Sequence, residues 1–164
     1  MYGNTLEEVK QGFSHPEKQE TEYGFVIDAV SEPDFTLKVM SFDNFKGKLS
    51  LSKGVYFVEK GTLKVGDNVV ESGKVLFTSD FEGVVEADCL VYYFASPSFV
   101  CDFSGVRDTF DFRDKYWGDI CSIISGVDFA GKRMFMHSGK QSSLEYHVHK
   151  KECYYVQEGK LKVV

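Results

Sequence analysis

The chain has 164 residues and a formal net charge of −6 at pH 7, and 43% of its residues are hydrophobic. The acidic balance argues against a nucleic-acid binder, whose footprint would be basic. No stretch reaches the roughly 18 apolar residues of a membrane-spanning helix, and the length allows one large domain or two small ones.

The first 22 residues are polar and charged, and they predict an N-terminal arm. Residues Thr5–Lys10 could form a short helix capped by Thr5, which ends before Pro16. No basic region is followed by an apolar segment, so no signal peptide is expected. The four cysteines lack CxxC spacing, which predicts reduced thiols and a cytoplasmic protein.

Short aromatic and β-branched runs then follow one another, separated by Gly, Asp and Ser, in a chain with fifteen Phe and nine Tyr. This pattern predicts an all-β sandwich or jelly roll. The predicted strands are Tyr23–Val30, Phe35–Phe42, Lys46–Ser52, Val55–Glu59, Thr62–Val65, Val69–Glu71, Val75–Thr78, Gly83–Ala87 and Leu90–Ala95. Turns are predicted at residues 31–34, 59–61 and 66–68.

An internal repeat relates two segments at a constant offset of 98 residues. Residues 53–65 and 151–163 are identical at seven of thirteen aligned positions, including the turn glycines Gly61 and Gly159. A shared turn glycine followed by Leu-Lys-Val favours duplication. Between the copies lie a connector with alternating Phe and Asp and two further predicted strands, Tyr116–Ser125 and Lys132–His137.

Side chains that bind metals cluster only in the C-terminal quarter. Glu145, His147 and His149 share one face if residues 145–149 form a strand. A second strand opening with Glu152 would fold back toward the same face. One imidazole and two carboxylates suit a divalent transition metal such as Zn, Mn, Fe or Ni better than soft copper.

The spacing of this stretch resembles the first motif of the cupin family. The matching positions are Gly139, Glu145, His147, Glu152 and Gly159, with Glu145 standing where the usual first histidine stands. Residues 143–159 more closely resemble the cupin module of bifunctional mannose-1-phosphate guanylyltransferase/mannose-6-phosphate isomerase enzymes, which also carry an upstream Trp-Gly pair like Trp117-Gly118.

The resemblance implies a double-stranded β-helix, the cupin jelly roll, in a bicupin arrangement. It implies that Glu145, His147 and Glu152 are three of four metal ligands, and it ranks His149 below Glu145. Lys150 replaces the arginine of the family pattern, which weakens any transfer of phosphate-binding chemistry. The predicted organisation is an arm (1–22), one complete degenerate barrel (23–97), a connector (98–115) and an incomplete second cupin with the metal motif (116–164).

The first copy carries Gly47, Leu49 and Gly54 where the second has its three ligands, so we expect it to have no metal site. The second copy ends before the later strands of a cupin and before the usual fourth ligand, a histidine. Either the sequence is part of a longer bicupin or a partner completes the sheet, and in both cases we expect a homodimer or larger assembly.

Several functions remain open. One is a metal-dependent sugar-phosphate isomerase, in which the metal polarises a carbonyl while a base, for which Glu145 is an alternative, moves a proton. Lys150 and Arg133 are candidate contacts to a carbohydrate or sugar-phosphate ligand. The alternatives are a non-catalytic bicupin that binds a ligand or packs against a partner, and a metal-dependent dioxygenase.

Overall fold

A computed structural model describes residues 14–143 and 151–162 of the chain. These residues form eleven β-strands in two antiparallel sheets and no helix, which confirms the predicted all-β class. Accordingly, the described residues contain no helix long and apolar enough to cross a membrane. The helix predicted at Thr5–Lys10 lies outside the described residues.

The strands follow one another in chain order. They are β1 (Lys18–Thr21), β2 (Gly24–Ser31), β3 (Thr36–Leu51), β4 (Gly54–Val65), β5 (Asn68–Glu71), β6 (Lys74–Thr78), β7 (Phe81–Ala95), β8 (Gly105–Asp108), β9 (Phe110–Lys115), β10 (Gly118–Ser125) and β11 (Ala130–Met136). The first sheet has eight strands in the order β1-β2-β3-β7-β4-β6-β8, with β5 paired to β4. The second sheet has the order β11-β10-β9.

Three strands, β3, β4 and β7, are much longer than predicted, because each joins two of the predicted short strands. Opposite β7, the pairing passes from Phe42↔Cys89 to Phe45↔Ala87, which leaves one extra residue in β3. On the other side of β7, the pairing with β4 passes from Val58↔Val91 to Lys60↔Leu90, which leaves one extra residue in β4. The predicted breaks in β3 and β4 are therefore β-bulges, which bend a strand without ending it.

The main hydrophobic core is enclosed by the first sheet alone. Every buried member of this cluster comes from β3 to β7, including Phe42, Leu63, Leu76 and Val91. Because a flat sheet cannot surround a cluster of its own side chains, the long bulged strands must curve around it. The bulges also keep apolar residues inward on both sides of each bend.

The second sheet packs against the outside of the first. Val55 and Phe57 of β4 alternate with the inward-facing Tyr56 and Val58, and they contact a separate cluster that contains Ile123 and Ile124 of β10. Consequently β4 is buried on both faces over its first five residues. This explains why its sequence is a continuous apolar run rather than an alternating one.

Two predicted boundaries differ in the structure. The end of the predicted arm forms β1, which pairs with β2, and the predicted connector contains β8 and β9, which join different sheets. The turns predicted at 31–34 and 66–68 match the connections between β2 and β3 and between β4 and β5. The turn predicted at 59–61 was wrong, because these residues lie within β4 at its bulge. Tyr116–Ser125 and Lys132–His137 match β10 and β11 closely.

The second copy of the repeat does not repeat the structure of the first. Residues 53–65 become β4, but the described residues 151–162, hereafter the C-terminal segment, contain no strand. The prediction of a strand opening at Glu152 was therefore wrong. The pairing environment explains the difference, because β4 lies between β7 and β6, whereas no described strand pairs with the C-terminal segment.

Candidate functional site

The predicted metal motif falls largely outside the described residues. Glu145, His147, His149 and Lys150 all lie there, so their ligand and substrate roles remain predictions. Glu152 is described and exposed, and its Oε2 accepts a hydrogen bond of 3.0 Å from the Tyr154 hydroxyl. Within residues 14–143 and 151–162, no group of three or more His, Cys, Asp or Glu side chains could hold a metal ion.

Side chains rather than strand pairing hold the C-terminal segment against the first sheet. Lys151 forms an ion pair with Glu32 in the turn between β2 and β3. Farther along, the Tyr92 hydroxyl donates a 2.8 Å hydrogen bond to Gln157 Oε1, and the Tyr92 ring meets the Tyr155 ring edge-on at 6.4 Å. These contacts hold the chain on both sides of the predicted ligand Glu152.

Arg133, a predicted substrate contact, connects the two sheets. Its Nε and Nη2 donate to the two carboxylate oxygens of Glu59 at 3.1 and 3.2 Å, and its Nη1 lies 3.8 Å from Asp119. The hydrogen bond to Glu59 raises the pKa of Arg133 above its usual value. A ligand anion would have to compete with two carboxylates for this guanidinium.

Aromatic rings occupy the space beside the first-copy counterparts of the metal ligands. A Cβ atom on Gly54 would lie 2.5 Å from Tyr93 Cε2, and a Cβ on Gly47 would lie 3.1 Å from Phe45 Cζ. Leu49, the third counterpart, packs on the main core. Two of the three first-copy positions therefore have no side chain, the third has an aliphatic side chain that packs on the core, and none of these residue types ligates a metal.

A cavity of about 410 Å³ lies at one end of the main core. We call it the tyrosine cavity, and its lining residues are Tyr23, Val26, Thr36, Lys38, Met40, Ser50, Leu51, Ser52, Tyr56, Tyr93 and Ala95. Its volume falls within the range of roughly 300–1,000 Å³ typical of small-molecule sites. Met40, Leu51, Tyr56 and Tyr93 are buried, whereas Ser50 and Ser52 are exposed.

The two buried phenols of the tyrosine cavity have fixed orientations. The Tyr56 hydroxyl donates to the Ser52 carbonyl at 2.7 Å, and the Tyr93 hydroxyl donates to the Lys53 carbonyl at 2.8 Å. Their ring centroids are 4.7 Å apart. Burial raises the pKa of both phenols, so each stays neutral and can still accept a hydrogen bond through its oxygen.

Sequence reasoning missed this cavity, although β3 contains a signal for it. Thr36, Lys38, Met40 and Phe42 share one face of the strand, and this face changes from polar to apolar along its length. A core-facing strand that begins with polar residues indicates a solvated end of the core. This pattern in β3 identifies a cavity only when the register of the sheet is known, because the register places Tyr93 opposite Lys38 and Tyr56 opposite Tyr93.

Comparisons with protein-family models, with curated proteins and with solved structures found no match to this chain.

Proposed function

We propose that this protein is an all-β module that binds a small molecule and that the tyrosine cavity is its binding site. The observation that carries the proposal is the cavity itself, which has a buried aromatic floor and a hydroxyl-bearing rim. Sites of this kind bind by burying the ligand against aromatic rings while a few polar groups fix its orientation. This matches the non-catalytic alternative considered from the sequence.

Two substitutions of the same type test this function. Thr36→Phe places a ring in the cavity lining, whereas Thr62→Phe makes the same change on β4, outside the cavity. Isotope-labelled protein would be titrated with neutral, anionic and cationic fragments and followed by NMR. We expect at least one fragment class to shift amides around Thr36 and Tyr93 in the wild type and in Thr62→Phe, but not in Thr36→Phe. If no class shifts these amides, the cavity is not a binding site.

The sequence motif favours a second candidate, a cupin that holds a divalent transition metal through Glu145, His147 and Glu152. In this candidate the chain acts on a sugar phosphate of the mannose-6-phosphate type, and the metal polarises the carbonyl. The hydrogen bond from Tyr154 to Glu152 supports it, because metal-binding carboxylates are commonly oriented by such contacts. The cupin jelly roll is the corresponding fold proposal, supported by the curved antiparallel sheet around one core.

Metal analysis of protein purified without chelators tests the second candidate. We expect stoichiometric Zn, Mn, Fe or Ni in the wild type and at least about a tenfold weaker affinity in Glu152→Ala. Glu158→Ala is the matched control, because Glu158 is exposed on the same segment but lies outside the motif. Equal metal content in all three proteins, or none in the wild type, would exclude Glu152 as a ligand.

The proposed assembly is a homodimer. Its support is β9, which pairs only with β10 among the described strands and exposes Phe110 and Phe112. An exposed edge with apolar side chains is a template for pairing with another chain. Light scattering at working concentration should give twice the monomer mass, and a monomer mass would refute the proposal.

A further inference from the structure

We infer that the ligand of the tyrosine cavity is a neutral, hydroxyl-rich molecule the size of a mono- or disaccharide, an inference that rests on the binding function proposed above. Three properties of the lining support it: its charge, its hydrogen-bonding groups and its aromatic surface. Each property excludes a different class of ligand.

The charge of the lining argues against an ionic ligand. Among the described residues that line the cavity, Lys38 is the only charged one, and its ammonium already lies 3.3 Å from Asp28 Oδ1. A phosphate or carboxylate ligand would therefore meet a single cation that is already paired, where anion sites usually offer several donors or a bidentate arginine. No carboxylate belongs to the described lining residues either, and Asp28, which lies beside them, is already paired with Lys38.

The hydrogen-bonding groups argue against a purely apolar ligand. Thr36 brings a hydroxyl to the lining from the core-facing side of β3, and this hydroxyl can both donate and accept a hydrogen bond. The phenol oxygens of Tyr56 and Tyr93 add acceptors, since their own protons are committed to backbone carbonyls. A ligand with several hydroxyls can satisfy both kinds of group, whereas an apolar ligand would leave buried phenol oxygens desolvated.

The aromatic surface favours a sugar ring over a flexible polyol. Tyr23 and the tilted pair Tyr56 and Tyr93 contribute three rings to one cavity. A pyranose has one apolar C–H face that packs against such rings while its hydroxyls point toward the rim. Because a sugar ring is rigid, it loses less conformational entropy on binding than an open chain with the same hydroxyls.

The experiment compares mannose, maltose and mannose 6-phosphate by NMR titration of the full chain. We expect both neutral sugars to shift the amides around Thr36 and Tyr93, with affinity reduced at least about tenfold by Thr36→Phe and unchanged by Thr62→Phe. Mannose 6-phosphate should bind more weakly than mannose.

The outcomes distinguish an error in the ligand class from an error in the proposed binding function. If mannose 6-phosphate binds as tightly as mannose or tighter, the ligand class is wrong while the cavity remains a site. The same conclusion holds if other fragments shift the cavity amides and no sugar does. If neither fragments nor sugars shift them, the binding function fails together with the inference.

Discussion

The ring of Tyr93 lies against Gly54 so closely that a Cβ atom at residue 54 would be 2.5 Å from Tyr93 Cε2 and 2.7 Å from the Phe94 carbonyl oxygen. Gly54 is the first-copy counterpart of Glu152, so this contact occupies the place where a ligand would begin. The same ring forms part of the tyrosine cavity. The absence of a side chain at residue 54 therefore makes room for the ring that forms one wall of the cavity.

Gly54→Ala should destabilise the fold by about 1–3 kcal/mol, because the added methyl group clashes with the buried Tyr93 ring and with the Phe94 carbonyl oxygen. Gly126→Ala is the control, since its closest contact would be an ordinary 3.4 Å to the Phe129 carbonyl oxygen. The control should change stability by less than about 0.5 kcal/mol. Urea unfolding midpoints provide the comparison, and equal midpoints for the two variants would contradict the close packing.

Gly61 allows β4 to pass close to β7 at its bulge. Its φ is +83°, and a Cβ there would lie 2.0 Å from the Asp88 carbonyl oxygen. Gly73 has nearly the same φ, +84°, but a Cβ on it would meet nothing within 4 Å. Substitutions at Gly61 and Gly73 therefore separate the cost of a positive φ from the cost of the close contact between β4 and β7.

Gly73→Ala should cost about 1–2 kcal/mol, which is the penalty of a left-handed conformation for a residue with a Cβ. Gly61→Ala should cost at least about 2 kcal/mol more, because the added methyl also collides with backbone. Chemical denaturation of both variants measures the difference. Similar losses for Gly61→Ala and Gly73→Ala would mean that the bulge tolerates a wider spacing between β4 and β7.

The bulges also show which parts of the fold could be predicted from the sequence. The all-β class, the position of most strands along the chain and the hairpin at 66–67 follow from local alternation and turn residues. The joining of short strands into β3 and β4 does not, because a polar or glycine interruption such as Asp43-Asn44 or Lys60-Gly61 has the same local pattern in a turn and in a bulge. Only the opposing residues of β7 distinguish them.

The repeat shows that the structure around the candidate site could be predicted only in part from the sequence. Residues 53–65 and 151–163 share most of their pattern, yet the first forms a central strand and the described part of the second forms none. Strand propensity needs a pairing partner to take effect. Likewise, the tyrosine cavity joins residues as distant in sequence as Tyr23 and Tyr93, so the polar-to-apolar pattern of β3 could not specify it without the register of the sheet.

The ion pair between Arg133 and Glu59 should couple the two sheets measurably. The side chains of Arg133 and Glu59 are 37% and 19% exposed, so water screens this bidentate contact less than a surface pair. A double-mutant cycle with Arg133→Ala and Glu59→Gln should give a coupling energy of about 1–2 kcal/mol in urea unfolding.

The control cycle uses the second bidentate pair, Arg113 and Asp111, whose side chains are 56% and 43% exposed. Asp111→Asn is the suitable substitution there, because Asp111 has a φ of 51° and asparagine tolerates that conformation. Its coupling energy should be too small to resolve in the same experiment, because water screens an exposed pair. If both cycles give the same small value, Arg133 does not hold the sheets together and remains free to serve a ligand.

Stability at alkaline pH should depend on Cys89. Burial raises the pKa of this thiol from 9.0 to about 12, so above pH 9 the unfolded chain loses the proton while the folded chain keeps it. Stability is then fully present below pH 9 and is lost as pH rises toward 12, at no more than about 1.4 kcal/mol per pH unit for one proton. Cys89→Ala should therefore reduce the slope of stability against pH between 9 and 10.

Val91→Ala provides the control for the size change, because Val91 is buried on the same strand and does not titrate. It should lower stability at every pH and keep the wild-type slope. Burial also raises the pKa of Cys153, so the decisive quantity is the difference in slope between Cys89→Ala and Val91→Ala rather than the wild-type slope itself. Urea midpoints measured under reducing conditions from pH 8 to 10 give this difference in slope. Identical slopes in the two variants would show that the Cys89 thiol ionises as easily in the folded chain as in the unfolded one.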